Sequence, residues 1–162
     1  MSTDGLFARI SREELDRVLN DPELERDLET KLFDDGDYER WFIDHAWDGL
    51  SYLLTMNRAP VDVVRGGTPI SDFAWSNDGP ARYLSAGQVK EMAAYFRATP
   101  WQDFARHYDP AAMRAAGVHH SLPYGEDKAG DNLDWLGLVL DGLADFFAQA
   151  ASADDAIITI LG

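Results

Sequence analysis

The stretch that decides the fold is Asp44-His45-Ala46-Trp47-Asp48-Gly49-Leu50-Ser51-Tyr52-Leu53-Leu54. Within it, Trp47, Leu50 and Leu54 recur at the spacing of one helical face. This pattern predicts a helix that begins at Asp44, its N-cap, and continues to about Thr55. Because an indole carries a large apolar surface, we expect Trp47 to be buried and to anchor the core.

The strongest strand signals stand near the two ends of the chain. Leu6–Ile10 and the β-branched run Ala156–Leu161 are typical of strands, and we expect the two to pair. Helix starts are indicated by capping residues, two in Ser-x-x-Glu/Gln capping boxes and two as Asp-Pro pairs: Ser11 with Glu14, Ser85 with Gln88, Asp21 with Pro22, and Asp109 with Pro110.

Apolar spacing indicates which helix faces are buried. The helix after Asp21 is expected to bury Leu24, Leu28 and Leu32, and the helix after Ser85 to bury Val89, Met92, Ala93 and Phe96. The longest helix is predicted from Asn132 to Ala150. It contains Gly137 and Gly142, each costing about 1 kcal/mol of helix stability relative to alanine, so we expect them at close backbone contacts.

Between residues 56 and 83 the chain is rich in turn residues. Val61–Val64 and Ser71–Trp75 are candidate short strands there, and we expect the whole segment to pack against the rest of the domain. The fold class is therefore α+β, a single domain over residues 1–162. Several helices pack on a small mixed or antiparallel sheet formed by the terminal strands and the middle segment.

Composition limits the partners. The 162 residues include 29 acidic and 14 basic side chains, a formal net charge of −15, which would repel nucleic acids and anionic membranes. We expect neither as a partner; a basic protein is the partner such a surface favours, although solubility alone is a simpler explanation. No apolar run reaches the length of a membrane span, the first residues do not resemble a signal peptide, and cysteine is absent. A cytoplasmic protein is expected.

No common catalytic signature occurs in the chain, neither a nucleophile elbow nor a phosphate-binding glycine loop nor a zinc-protease motif. We expect no cofactor, no metal and no catalytic residues. The adjacent His119 and His120 are more simply solvated loop residues than metal ligands. The cluster of Asp34, Asp35 and Asp37 lacks the calcium-loop pattern and is expected to be a solvated turn.

One segment, Gly79-Pro80-Ala81-Arg82-Tyr83-Leu84, is expected to pack closely against the Trp47 helix, since its first three residues carry little side chain. Arg82 is predicted to pair with Asp48 or Asp44. If a ligand site exists, it is expected where the two segments meet, lined by Trp47, Asp48, Arg82 and Tyr83.

The chain resembles the YfbM family, also called DUF1877, a domain of unknown function. Ordered segments along nearly the whole chain carry the resemblance: Ile10–Leu15, Ala46–Leu54, Gly66-Gly67, Gly79–Ser85 followed by Val89, Tyr108–Met113 and Ala156–Ile160. The resemblance implies a bacterial α+β domain and brings no catalytic residues. The family commonly carries histidine at the position of Ser51, so any role of that histidine is not shared here.

Two functions from different classes remain open. The preferred one is a small acidic protein-binding module, similar to immunity proteins in being directed at a basic partner. An exposed, contiguous acidic face with aromatic anchors would favour it. The alternative is a small-molecule-binding or weakly catalytic domain. A concave cavity between the Trp47 helix and Gly79–Leu84 would favour that alternative, and filling of the cavity by side chains would count against it.

Overall fold

The computed structural model describes residues 4–34, 36–118 and 125–162. In these ranges the helices are α1 (Arg12–Asn20), α2 (Pro22–Phe33), α3 (Trp47–Met56), α4 (Ala86–Ala98), α5 (Trp101–Ala105), α6 (Pro110–Ala115) and α7 (Ala129–Ser152). The strands are β1 (Gly5–Ile10), β2 (Arg40–Ile43), β3 (Thr68–Pro69), β4 (Arg82–Leu84) and β5 (Ala156–Leu161). No described helix is both long and apolar enough to cross a membrane.

The five strands form one antiparallel sheet in the order β2-β1-β5-β4-β3. The two terminal strands lie side by side in its middle, with Gly5 opposite Leu161 and Ile10 opposite Ala156. The expected pairing of the chain ends is therefore confirmed, as is an α+β fold whose sheet includes the middle segment.

Both faces of the sheet are buried at its central strands β1 and β5. Successive side chains of a strand point to opposite faces, so each of these strands contributes to two cores. Phe7 of β1 and Ile157 of β5 point toward the larger core, which α3, α4, α5 and α7 cover. Their neighbours Leu6 and Ile158 point the other way, toward a second core that α1 and α2 cover. The result is a three-layer domain in which the two helical layers never share a core.

The helix starts follow the local signals. Backbone N–H groups donate to the side chains of Ser11, Asp21, Ser85 and Asp109, as expected for N-caps. Ser85 and Gln88 form the complete capping box. At the first helix only half of the box forms, because the Glu14 carboxylate instead accepts a hydrogen bond from Tyr38.

The buried row predicted for α2 is partly wrong. Leu28 and Leu32 are buried, but Leu24 is 38% exposed and Glu25 is only 4% exposed. The Glu25 carboxylate accepts hydrogen bonds from the indole of Trp75 (2.9 Å) and the hydroxyl of Ser71 (2.8 Å). These two bonds satisfy the hydrogen-bonding needs of the buried Glu25 carboxylate. They also attach this face of α2 to the middle segment.

The middle segment is packed down as expected, with Val63, Val64, Ile70 and Trp75 buried. Neither Val61–Val64 nor Ser71–Trp75 is a strand; the first is a turn around Asp62, and the short strand is β3 instead. Hydrogen bonds to the side chains of Asp62 and Ser71 hold these stretches, which therefore need no strand partner.

Gly137 and Gly142 of α7 lie against indoles, which confirms the close contacts expected of them. A Cβ at Gly137 would lie 3.1 Å from Trp101, and one at Gly142 would lie 2.3 Å from Trp41. The two glycines thus make room for aromatic rings that fix α7 against α5 and β2.

Candidate functional site

A cleft of about 290 Å³ lies where the start of α3 meets the segment that leads into β4. We call it the Trp47 cleft; its lining residues are Trp47, Arg65, Asp78, Arg82 and Leu161. It occupies the place expected from the sequence, and two of the four expected residues, Trp47 and Arg82, line it.

Trp47 forms the inner wall of the cleft. Its side chain is only 8% exposed and belongs to the larger core, as predicted. The helix begins at Trp47 itself, however, with Ala46 as N-cap and no side-chain cap bond. The assignment of Asp44 as the cap was wrong, because residues 45 and 46 form a turn that leaves Asp44 two residues outside the cap position.

The ion pair predicted for Arg82 is also wrong. Asp48 pairs with Arg65, whose Nη2 lies 3.2 Å from Asp48 Oδ1. The guanidinium of Arg65 lies over the indole of Trp47, 4.7 Å from the ring centroid. Asp48 therefore reaches the cleft through Arg65, a residue the sequence reasoning did not consider.

Arg82 instead donates from Nη1 to the backbone carbonyl of Gly67 at 2.7 Å. Its position in β4, opposite Pro69 of β3, places it beside the turn that contains Gly67. A Cβ on Gly67 would lie 3.1 Å from the Cβ of Arg82 and 2.9 Å from the Tyr83 carbonyl oxygen, so a glycine lets this turn approach the strand.

A turn centred on Asp62 holds Arg65 in place. One carboxylate oxygen of Asp62 accepts from the backbone N–H groups of Val64 (3.0 Å) and Arg65 (3.2 Å). The other accepts from the hydroxyl of Ser51 at 2.7 Å. Ser51 thus ties α3 to the turn that presents Arg65.

Tyr83 does not line the Trp47 cleft. It follows Arg82 in the same strand and so points to the opposite face of the sheet, where it packs against the second core. There it borders a separate cavity of about 370 Å³ near the starts of α1 and α4. The prediction that Arg82 and Tyr83 line one pocket was therefore wrong, because adjacent residues of a strand point to opposite faces of the sheet.

The perturbed tyrosines lie outside the Trp47 cleft. Burial, and then the hydrogen bond to Glu14, raise the pKa of Tyr38, so this phenol stays protonated at neutral pH. Burial likewise raises the pKa of Tyr95 and Tyr108. In each case burial disfavours the phenolate, so the tyrosine stays neutral. A neutral phenol can form hydrogen bonds but does not act as a base.

The other residues considered from the sequence form no recognisable centre. His45 and His107 are half-buried, and an Nε2 of His107 lies 3.3 Å from the side-chain oxygen of Asn57. His119, His120 and Asp35 lie outside the described residues. Among the residues the structure does describe, no three histidines or carboxylates are arranged to hold a metal ion.

Comparisons with known proteins agree on family and fold. The family model "Domain of unknown function (DUF1877)" matches residues 1–160. The crystal structure of YfbM from Escherichia coli, titled as a protein of unknown function, is similar over 100% of both chains, with a TM-score of 0.69 at 15% sequence identity. At that identity the similarity is one of fold. A search of curated proteins finds no match.

Proposed function

The chain belongs to the DUF1877 family, and we propose that this member is a small-ligand-binding domain whose binding site is the Trp47 cleft. The observation that supports the proposal is that the cleft is open and is not filled by the side chains that line it. Three of the lining residues, Arg65, Asp78 and Arg82, are polar. A volume of about 290 Å³ is at the lower end of small-molecule sites. The proposal concerns binding and assigns no reaction.

Rigid surroundings support this use of the cleft. Trp47 is fixed in the core, Arg65 is held by the Asp62 turn, and Arg82 is held by the Gly67 carbonyl. Groups that are fixed before a ligand arrives lose little conformational entropy when it binds, which favours affinity. Asp78, in contrast, is exposed at a turn and lies at the mouth.

A fragment screen followed by protein NMR tests the proposal. We expect at least one small compound to shift the signals of Trp47, Arg65 and Arg82 together. The variant Asp78→Trp, which places a large ring at the mouth from an exposed position, should weaken that binding. Asp72→Trp, exposed in the same segment but not part of the cleft lining, is the matched control and should bind as the wild type does. Compounds that bind only elsewhere, or that bind equally to both variants, would contradict the proposal.

A second candidate function, binding of a basic protein partner, is favoured by the outer face of α7. Four exposed aspartates at helical spacing, Asp131, Asp134, Asp141 and Asp145, flank Leu138, which is 72% exposed. The 24 residues of α7 include no lysine or arginine. A negative stripe around one apolar side chain complements a cationic surface that carries an apolar pocket.

This candidate is tested by comparing captures from native lysate. The bait variants are Leu138→Ser combined with Asp141→Asn on α7, and Glu13→Gln combined with Asp16→Asn on the exposed face of α1. A basic protein retained by wild type and by the α1 variant, but lost by the α7 variant, would support the candidate. Equal capture by all three baits would contradict this candidate and would indicate that the acidic residues of α7 serve solubility.

A further inference from the structure

Resting on the proposed function, we infer that the ligand of the Trp47 cleft is a small organic anion, bound through a carboxylate or phosphate group on Arg82. The inference begins with how Arg82 is held. Among the described residues, its side chain donates one hydrogen bond, to a neutral acceptor, the carbonyl of Gly67 at 2.7 Å. That bond orients the guanidinium but leaves its positive charge uncompensated, with further N–H donors available.

Among the described residues Arg82 has no counter-ion, whereas Arg9, which is also half-buried, has one. Acidic residues outnumber basic ones 29 to 14, and other arginines have found partners: Arg9 lies 3.0 Å from Asp155, and Arg12 lies 3.0 Å from Asp154. Across the described ranges, no carboxylate lies within ion-pair distance of Arg82, although the residue is half-buried. A charge withdrawn from water without a partner is costly, and an anionic ligand would compensate it.

Arg65 supplies a second positive group at the same cleft. One of its donors is engaged by Asp48 at 3.2 Å, while 53% of its side chain is still exposed. Two guanidinium groups on the lining favour a planar carboxylate or a phosphate, which arginine binds with paired hydrogen bonds.

Asp78 limits the charge of the ligand. Among the described residues of the lining it is the one acidic side chain, and it offsets part of the positive charge of the two arginines. A ligand of low negative charge therefore fits the lining better than a polyanion such as a nucleoside triphosphate. The volume also favours a small ligand. A singly charged carboxylate, or a small phosphate monoester, satisfies both limits.

Two pairs of probes of matched shape test the inference by NMR titration of the full chain. Butyrate and butyramide differ in charge but hardly in size, and glycerol 3-phosphate and glycerol differ by the phosphate. We expect an anion of either pair to shift the cleft signals with an affinity at least about tenfold above that of its neutral counterpart, since a hydrogen bond between two charged groups is about twice as strong as one between neutral groups. Which anion binds tighter distinguishes a carboxylate ligand from a phosphate ligand.

Variants assign the effect to Arg82. Arg82→Gln should lower the affinity for the anion by about tenfold or more and leave binding of neutral fragments unchanged. Arg97→Gln, which removes an exposed arginine of α4 outside the cleft, should behave as the wild type. If Arg82→Gln does not fold, the wild type still gives a result, because anion affinity should fall as salt rises from about 50 to 500 mM.

The outcomes separate this inference from the function beneath it. Equal binding of butyrate and butyramide in the cleft would overturn the anion assignment but keep the cleft as a ligand site. Anion binding that is unchanged in Arg82→Gln would overturn the role of Arg82. Failure of every probe and every fragment to reach the cleft would overturn both proposals.

Discussion

Gly142→Ala should destabilise the protein although alanine is the better helix former. A Cβ at this position would lie 2.3 Å from Cζ2 and 2.5 Å from Cη2 of Trp41. Carbon atoms pack at about 3.5–4.0 Å, so the indole must retreat by about 1 Å or more. Overpacking of this kind costs about 3 kcal/mol at its upper end, and helix propensity returns about 1 kcal/mol. We expect a net loss of about 2 kcal/mol.

Urea unfolding followed by circular dichroism measures this loss, and the same helix offers the control. At Gly130 an added Cβ meets nothing within 4 Å. Gly130→Ala should therefore leave stability unchanged or raise it by up to about 1 kcal/mol. If Gly142→Ala is as stable as the wild type, or if both variants lose equal stability, the steric reasoning is refuted.

A double-mutant cycle assigns the loss to the indole. In a Trp41→Leu background the ring atoms that meet the new methyl are gone. Gly142→Ala should then be neutral or stabilising, a coupling of about 2 kcal/mol between the two positions. Additive effects of the two substitutions would place the cost elsewhere, for example in the backbone of α7.

Three further predictions concern stability away from the cleft. Glu25→Ala should cost about 2–4 kcal/mol in urea unfolding, because the buried Trp75 indole and the half-buried Ser71 hydroxyl lose their acceptor. Glu25→Gln, which keeps a carbonyl acceptor, should cost less; a larger loss for Glu25→Gln than for Glu25→Ala would contradict this explanation. Ser85→Ala should cost about 1 kcal/mol by removing the capping box of α4, and no change in the urea midpoint would count against it. Hydrogen bonds from Lys90, and then from Arg12, lower the pKa of Asp154 below 3.8. The stabilisation is therefore fully present above pH 3.8 and is lost as the pH falls through the lowered pKa. Thermal midpoints of wild type and Asp154→Asn should differ at pH 6 and converge in strong acid; a constant difference would refute this.

Local signals predicted most of the framework. A cap such as Ser85 acts on N–H groups two or three residues away, so its effect can be read from neighbouring residues. The terminal strands were recognisable because β5 is a continuous β-branched run buried on both faces. These elements depend on short-range chemistry, and the structure confirms them.

Contacts between distant residues were not predicted, because nothing local marks them. Glu25 lies in the first turn of a helix, where an acidic residue is ordinary, yet its partner Trp75 is 50 positions further on. The same reason explains why Asp48 was predicted to pair with Arg82, although it pairs with Arg65. Arg65 and Arg82 are both plausible partners by charge, and the Asp62 turn that decides between them has no signature in the sequence.

The side of the sheet on which a residue lies was predictable in part. Alternation along a strand separates Arg82 from Tyr83 once β4 is known to be a strand. With only three residues, shortly after Gly79 and Pro80, the strand was too short to be recognised, and the two side chains were predicted to line one pocket.

The most direct test of anion binding in the Trp47 cleft is a crystal structure of the protein, from crystals grown with butyrate or glycerol 3-phosphate. We expect density for the anionic group in the Trp47 cleft, within hydrogen-bond distance of the Arg82 guanidinium, while the Gly67 carbonyl keeps its bond to the same side chain. Anion density only at other surfaces, or an Arg82 side chain turned out of the cleft toward a carboxylate of the protein, would contradict it.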